Sequence, residues 1–216
     1  MRSLPEMSPG EYASVAPSDR ASRRRARIID AARALFVANG FHATGVAQIA
    51  KESGVAIGQL YRDFAAKEDI IAALVARDCA DFMARPVLER AIADRDETAV
   101  WAWIRDLVEA DDDRDNDRLF TEIVAEAARN HRIAAIFVQT HDEVAACLFD
   151  ALRLLVPDER FADRRALLAD LILTQSLGVM QHRAMMPGLN IERLVDAVMY
   201  VIRGEVERMR EQSVHG

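Results

Sequence analysis

Between Gly40 and Asp69 the chain sets short apolar-faced segments against sharp glycine stops, and few folds accept that arrangement. The stretch reads Gly-Phe-His-Ala-Thr-Gly-Val-Ala-Gln-Ile-Ala-Lys-Glu-Ser-Gly-Val-Ala-Ile-Gly-Gln-Leu-Tyr-Arg-Asp-Phe-Ala-Ala-Lys-Glu-Asp. Val46, Ile49 and Ala50 recur at helical spacing and predict a helix over 46–53. Gly54 suits the left-handed backbone that ends such a helix. Val55 then plugs the corner, and Leu60 and Phe64 give a second short helix, 57–62, its inner face. Ala50 is small enough to let the two cross closely. The logic is that of a helix-turn-helix.

The flanks read as helix too. Ser18 or Asp19 can cap a first helix in which Ile28, Ala32, Leu35 and Phe36 share a face, and Asn39-Gly40 ends it. A fourth runs from near Lys67 to about Met83, with Pro86 following. Further helices are expected near 87–93, 97–110, 116–129, 132–155, 161–185 and 191–211. Their breaks are Asp111-Asp112-Asp113, Asn130, Val156-Pro157-Asp158 and Pro187-Gly188. With only 9 Gly and 6 Pro, and few runs rich in β-branched residues, strands have little support. The expected fold is all-α. A disordered tail covers 1–18, a three-helix helix-turn-helix DNA-binding domain 19–66, and a larger helical ligand-binding and dimerisation domain 67–213.

A net charge of −7 would by itself repel nucleic acid, but the charge is unevenly placed. Residues 20–69 carry +4 and the remainder −11, so a basic module sits on an acidic body. Arg23, Arg24, Arg25 and Arg27 crowd the first half of helix 1, against the helix dipole, which points to a purpose outside folding. On the second short helix, Ala56, Ile57, Gly58, Gln59, Tyr61 and Arg62 point outward. Short side chains let a helix sit deep in the roughly 12 Å major groove. Gly58 permits close backbone approach, Gln59 can pair with adenine, and Ile57 can pack on a thymine methyl. Tyr61, Arg62 and Lys67 suit phosphate oxygens, which position without specifying. Arg24, Thr44 and Gly45 complete the candidate DNA-binding set.

Gly40-Phe41, Ala43-Thr44, Val46, Ile49-Ala50, Gly54-Val55, Gly58, Leu60-Tyr61, Phe64 and Lys67-Glu68 resemble, in order and spacing, the N-terminal signature of the TetR (tetracycline-repressor) family across roughly residues 24–72. The resemblance implies a recognition helix at 57–62, with Tyr61 and Lys67 on the DNA backbone. It implies a cytoplasmic transcriptional repressor that binds a palindromic operator as a homodimer. A small-molecule ligand would release it by shifting the helix at 67–83. Gly45, Ala56 and Ala66 depart from the pattern, standing where the family has Thr or Ser. Loss of a capping hydroxyl costs about 1 kcal/mol, and Thr44 can stand in at the second helix.

The body offers two apolar stripes. One is Leu167, Leu168, Leu171, Ile172, Gln175 and Val179; the other is Leu194, Val195, Val198, Val201, Ile202 and Met209. Paired across two copies they would close a four-helix interface, with Leu171, Gln175, Val179, Leu194, Val198, Val201 and Ile202 as the candidate dimer contacts. Among the middle helices, Trp103, Phe120, Phe137, His141 and Met180 are candidates to line a pocket for a small apolar or amphipathic ligand.

Other classes find little footing. No apolar run approaches the roughly 20 residues that cross a bilayer, and the N-terminus lacks a signal-peptide core. Cys79 and Cys147 suggest neither a disulfide framework nor a zinc site. No nucleophile elbow, phosphate loop or His-Glu-x-x-His pair points to an enzyme. His131, His141 and His182 make no metal cluster, and Asp111–Asp113 with Asp115 lack the calcium-loop spacing. No cofactor is expected. The alternative function is a DNA-binding regulator or architectural protein that uses the same module without an inducer.

Overall fold

The computed structural model describes residues 17–110 and 114–215, and among them regular structure is wholly helical. The elements are α1 (Pro17–Asn39), α2 (Val46–Ser53), α3 (Ile57–Asp63), α4 (Lys67–Met83), α5 (Arg85–Ala93), α6 (Glu97–Glu109), α7 (Arg114–Ala127), α8 (His131–Leu155), α9 (Ala162–Met185) and α10 (Ile191–His215), with a 3₁₀ turn at Glu159–Phe161 before α9. Of the expected tail, only Pro17 and Ser18 fall within the described residues, and they form the first turn of α1. The Asp111-Asp112-Asp113 break lies outside them.

Local chemistry sets most boundaries. Gly40 adopts φ +80°, and its N–H donates to Phe36 O at 2.8 Å, closing α1. Gly54 closes α2 at φ +65°. Asp96 caps α6 by accepting from the Ala99 N–H, and Asn130 caps α8 by accepting from the Arg132 and Ile133 N–H groups. With no hydroxyl at 45 or 66, only the reciprocal half of each capping box is made, from the third helical position. Gln48 Oε1 accepts from the Gly45 N–H at 2.7 Å, and Asp69 Oδ2 from the Ala66 N–H at 2.9 Å. Pro86 does not stop a helix but starts one. It sits in the first turn of α5, directly after Ala84 turns the chain at φ +40°.

Two cores result. The first gathers Ile28, Ala32 and Phe36 of α1, Ile49 of α2, Leu60 of α3 and Ile70, Ile71 and Leu74 of α4. It continues into Leu119 and Ile123 of α7 and Ile133 of α8. The second is built from α6, α8, α9 and α10 around Ile104, Leu148, Leu152, Ile172 and Val206, and takes in Met83 from the end of α4. The α4 helix therefore belongs to both cores. The packing does not break near residue 66, where a boundary between module and body is expected.

The two apolar stripes divide between inside and outside. Val179 and Ile202, expected on a dimer face, are 2% and 1% exposed and lie in the second core, because α9 and α10 turn those positions toward α6 and α8. Leu194 and Val198 are half-buried against the same core. What reaches solvent is Leu167 and Leu171 on α9 and Tyr200 and Val201 on α10, with Gln175 half-buried beside them.

Candidate nucleic-acid interface

Seven residues of α3 can bury only a narrow stripe, and Leu60 is the one fully buried side chain they supply. Most of the rest of the helix faces outward. Ile57 is 48% and Tyr61 52% exposed; Ala56, Gly58 and Arg62 are exposed and Gln59 is half-buried. A Cβ added at Gly58 would meet nothing within 4 Å. Gln59 and Arg62 are already paired: Arg62 Nη2 donates to Gln59 Oε1 at 2.9 Å, and its Nε donates to Gly58 O at 3.3 Å. The exposed face thus carries a cation, an amide and a phenol around a residue without a side chain.

Three residues expected on that interface are used differently. Arg24 does not reach outward. Its Nε and Nη2 donate to the two carboxylate oxygens of Asp63 at 2.5 and 2.8 Å, a forked bond that clamps α3 to α1. Thr44 is fully buried, and its hydroxyl donates to Gly40 O at 2.9 Å, with Leu35 O 3.2 Å away. Lys67 Nζ donates to Phe41 O at 2.7 Å and Thr44 O at 3.0 Å and lies 3.9 Å from the Phe41 ring centroid. Burial lowers the pKa of that ammonium. Lys67 braces the α1–α2 turn with N–H groups that a phosphate would need. Gly45 stays exposed as the α2 cap.

Sequence reasoning missed Asp63 and Arg25. Arg25 stacks its guanidinium 4.1 Å from the Phe64 ring centroid and donates to Asp63 O. The available signal was an acidic residue closing an otherwise outward-facing helix in a basic module. The arginine crowding in α1 thus has two explanations. Arg24 and Arg25 hold α3, while Arg20 and Arg27 are exposed with no ion-pair partner among the described residues, as is Lys51 on α2.

The clamp makes a prediction. The Arg24 hydrogen bond holds the Asp63 carboxyl below its ordinary 3.8, against the opposing effect of burial. A depressed carboxyl stabilises above its unfolded pKa and loses that contribution as pH falls through the folded one. Asp63→Asn is expected to cost about 1–2 kcal/mol at pH 7, between a surface and a buried pair. In acid, once pH is below 3.8 and the lower folded value, the difference should vanish. Chemical melts of both proteins at the two pH values check this.

Behind the module lies a cavity of about 1020 Å³ between α4, α6, α7, α8 and α9. Phe120, Phe137, His141 and Met180 line it. Trp103 does not: it is 5% exposed in the second core, where its Nε1 donates to Met83 O at 2.6 Å and ties α6 to the end of α4. Leu74 and Val75 of α4 and Arg33 of α1 also line the cavity, so its wall is partly the module's own core.

Polar contacts reinforce that join. Glu122 of α7 accepts from the Phe41 N–H at 2.9 Å, and its carboxylate lies where a Cβ on Gly40 would crowd it. Arg132 of α8 pairs with Asp69 of α4, and Arg33 pairs with Asp78 and donates to Asn116. Glu126 lies 2.7 Å from His42 Nε2 and 2.9 Å from Arg129 Nε. Burial works to raise the Glu126 carboxyl, and these partners outweigh it and hold it below the usual carboxylate range. No helix among the described residues is long and apolar enough to cross a membrane.

Residues 28–74 match the sequence model of bacterial regulatory proteins, tetR family. The HTH-type transcriptional regulator UidR of Escherichia coli K12 is 32% identical over 135 residues, which cover 60% of this chain and 64% of UidR, so the likeness spans somewhat under two thirds of that relative. Among solved structures, Salmonella enterica GusR superposes with a TM-score of 0.63 at 22% identity, covering 90% of this chain and 98% of GusR. The SmeT–triclosan complex gives 0.66 at 21%, covering 83% and 90%. At such identities the structures speak for the fold. Through residues 28–74 the chain carries the N-terminal module of the tetR family of bacterial regulatory proteins, and the helical body behind it has the fold of those solved structures.

Proposed function

We propose that this chain is a sequence-specific transcriptional repressor, not an enzyme. It acts in the cytoplasm as a homodimer on a palindromic operator and is released by a small apolar or amphipathic molecule in the cavity. One observation carries the reading: α3 spends Leu60 on the core and offers Ile57, Gly58, Gln59, Tyr61 and Arg62 outward on a helix clamped at Asp63. A rigid helix with a short-side-chain face fits a major groove. The exposed Leu167, Leu171, Tyr200 and Val201 support pairing of two copies through α9 and α10, which sets two recognition helices on one palindrome. The shared cavity wall supports release. A ligand that displaces Leu74, Val75 or Arg33 acts on the core that seats α1 and α4, and so favours an arrangement that fits DNA less well.

Footprinting on the DNA flanking the gene tests the reading; a protected palindrome is expected. Uniform binding to all sequences would overturn it. Within that operator, Tyr61→Ala should weaken every site alike. Gln59→Ala should relax preference at one base pair by about 1–3 kcal/mol. Competition binding against single-base operator variants separates the two roles.

A further inference from the structure

The cavity behind the module is unevenly charged. One guanidinium, Arg33, faces it against four carboxylates, Asp78, Asp81, Asp106 and Glu109. Arg33 is committed to Asp78 and Asn116, and Glu109 lies 3.5 Å from Arg105. Asp81 and Asp106 are solvent-exposed and have no ion-pair partner among the described residues. Much of the remaining wall is apolar, with Phe120 and Phe137 edge to face at 5.5 Å and 63°.

Each class of ligand meets this wall differently. An anion would bring its charge beside two uncompensated carboxylates, and like charges there cost affinity. A neutral molecule would leave those carboxylates unused. A cation compensates them and can also lie on an aromatic face. We infer that the cavity takes a lipophilic organic cation, its ammonium toward Asp81 and Asp106 and its hydrocarbon body against Phe120 and Phe137. The inference rests on the reading of the cavity as the effector site.

The same charge pattern supplies a coupling. Asp78 joins α4 to Arg33 of α1, inside the DNA-binding module. Asp78 faces Arg33 and, at 3.9 Å, Arg77, and burial still keeps its carboxyl above its usual range. An ammonium in reach of Asp78 competes with Arg33 and loosens the α1–α4 tie.

The test titrates the full chain with decyltrimethylammonium, decanol and decanoate, each below its micelle concentration. Calorimetry reads binding, and the footprinted operator reads release. The ammonium should bind at least about tenfold more tightly than decanol, with decanoate weaker still. The double variant Asp81→Asn/Asp106→Asn should erase that margin and leave decanol unchanged, whereas Asp94→Asn, exposed after α5, should change nothing. Decanol or decanoate binding as well as the ammonium, a margin that survives the double variant, or no binding by any of the three would overturn the cation assignment. Tight ammonium binding that leaves the operator occupied upholds the ligand class and defeats the release reading. Release by decanoate upholds release and defeats the ligand class.

Discussion

Arg183→Met is expected to cost about 3–5 kcal/mol of stability, the loss found when one partner of a buried ion pair is removed. Arg183 on α9 and Asp117 on α7 are 5% and 0% exposed at their side chains. Arg183 Nε donates to Asp117 Oδ2 at 2.6 Å and Nη2 to Oδ1 at 3.1 Å, while Nη1 donates to Glu109 O at 3.0 Å. One guanidinium therefore joins α7, α9 and the end of α6. Methionine fills similar space but leaves the Asp117 carboxylate in a dry site without a counter-charge, and desolvation then goes unopposed. For a chain of 216 residues the loss corresponds to a melting point lower by roughly 6–20 °C.

The pair's net worth is a separate quantity. Asp117→Leu combined with Arg183→Met should recover most of the loss, because apolar replacement of both partners of a buried pair is often neutral or better. Denaturant melts of the single and double variants read the difference. A single-variant loss below about 1 kcal/mol, the value of a surface pair, would mean that water reaches Asp117 and the account above is wrong.

That pair also shows where sequence reading stops. Helix ends were legible because their causes are local: Gly40 and Gly54 each close a helix, and Asn130 caps one from an adjacent position. Where no stop residue stands, the reading fell short, and α10 runs on to His215 instead of ending at 211. Partners far apart in the chain leave no such mark. Asp117 and Arg183 are 66 positions apart, and Arg24 and Asp63 are 39 apart. Arg24 and Lys67 have the chemistry of phosphate ligands, but guanidinium and ammonium groups bind a carboxylate or a carbonyl equally well, and only the fold decides which is nearer. Spacing has the same limit. A stripe at helical period tells which residues share a face, and α9 and α10 then divide Leu171 and Val201 from Val179 and Ile202 by a modest rotation. Trp103 went to the core because its N–H found Met83 O, whereas Phe120 and Phe137, with no polar atom to satisfy, remained available to the cavity.

Gly58→Asp should abolish operator binding while leaving the fold at least as stable as before. The two effects have separate causes on one residue. Within the protein, Gly58 is the second residue of α3, exposed, with room for a Cβ. Glycine in a helix costs up to about 1 kcal/mol relative to better helix formers. A carboxylate in the first turn is favoured by the helix dipole by about 0.3–1 kcal/mol. Nothing in the core is touched, since Leu60 alone anchors α3 by burial and Arg24 holds Asp63 from the other end. On DNA, the same carboxylate would stand on the face offered to the groove, between Gln59 and Ile57, and meet phosphate charge, while the cation one turn on, Arg62, is engaged with Gln59 Oε1 and Gly58 O. Like charges brought together across an interface cost several kcal/mol, so affinity should fall by about a hundredfold or more. Gly58→Asn, nearly the same size without the charge, should retain far more of it. Fluorescence anisotropy on the operator together with thermal melts reads both effects. If Gly58→Asp binds DNA as the unaltered chain does, α3 is not the helix in the groove. If it melts well below the unaltered chain, Gly58 has a packing role that its open surroundings do not show.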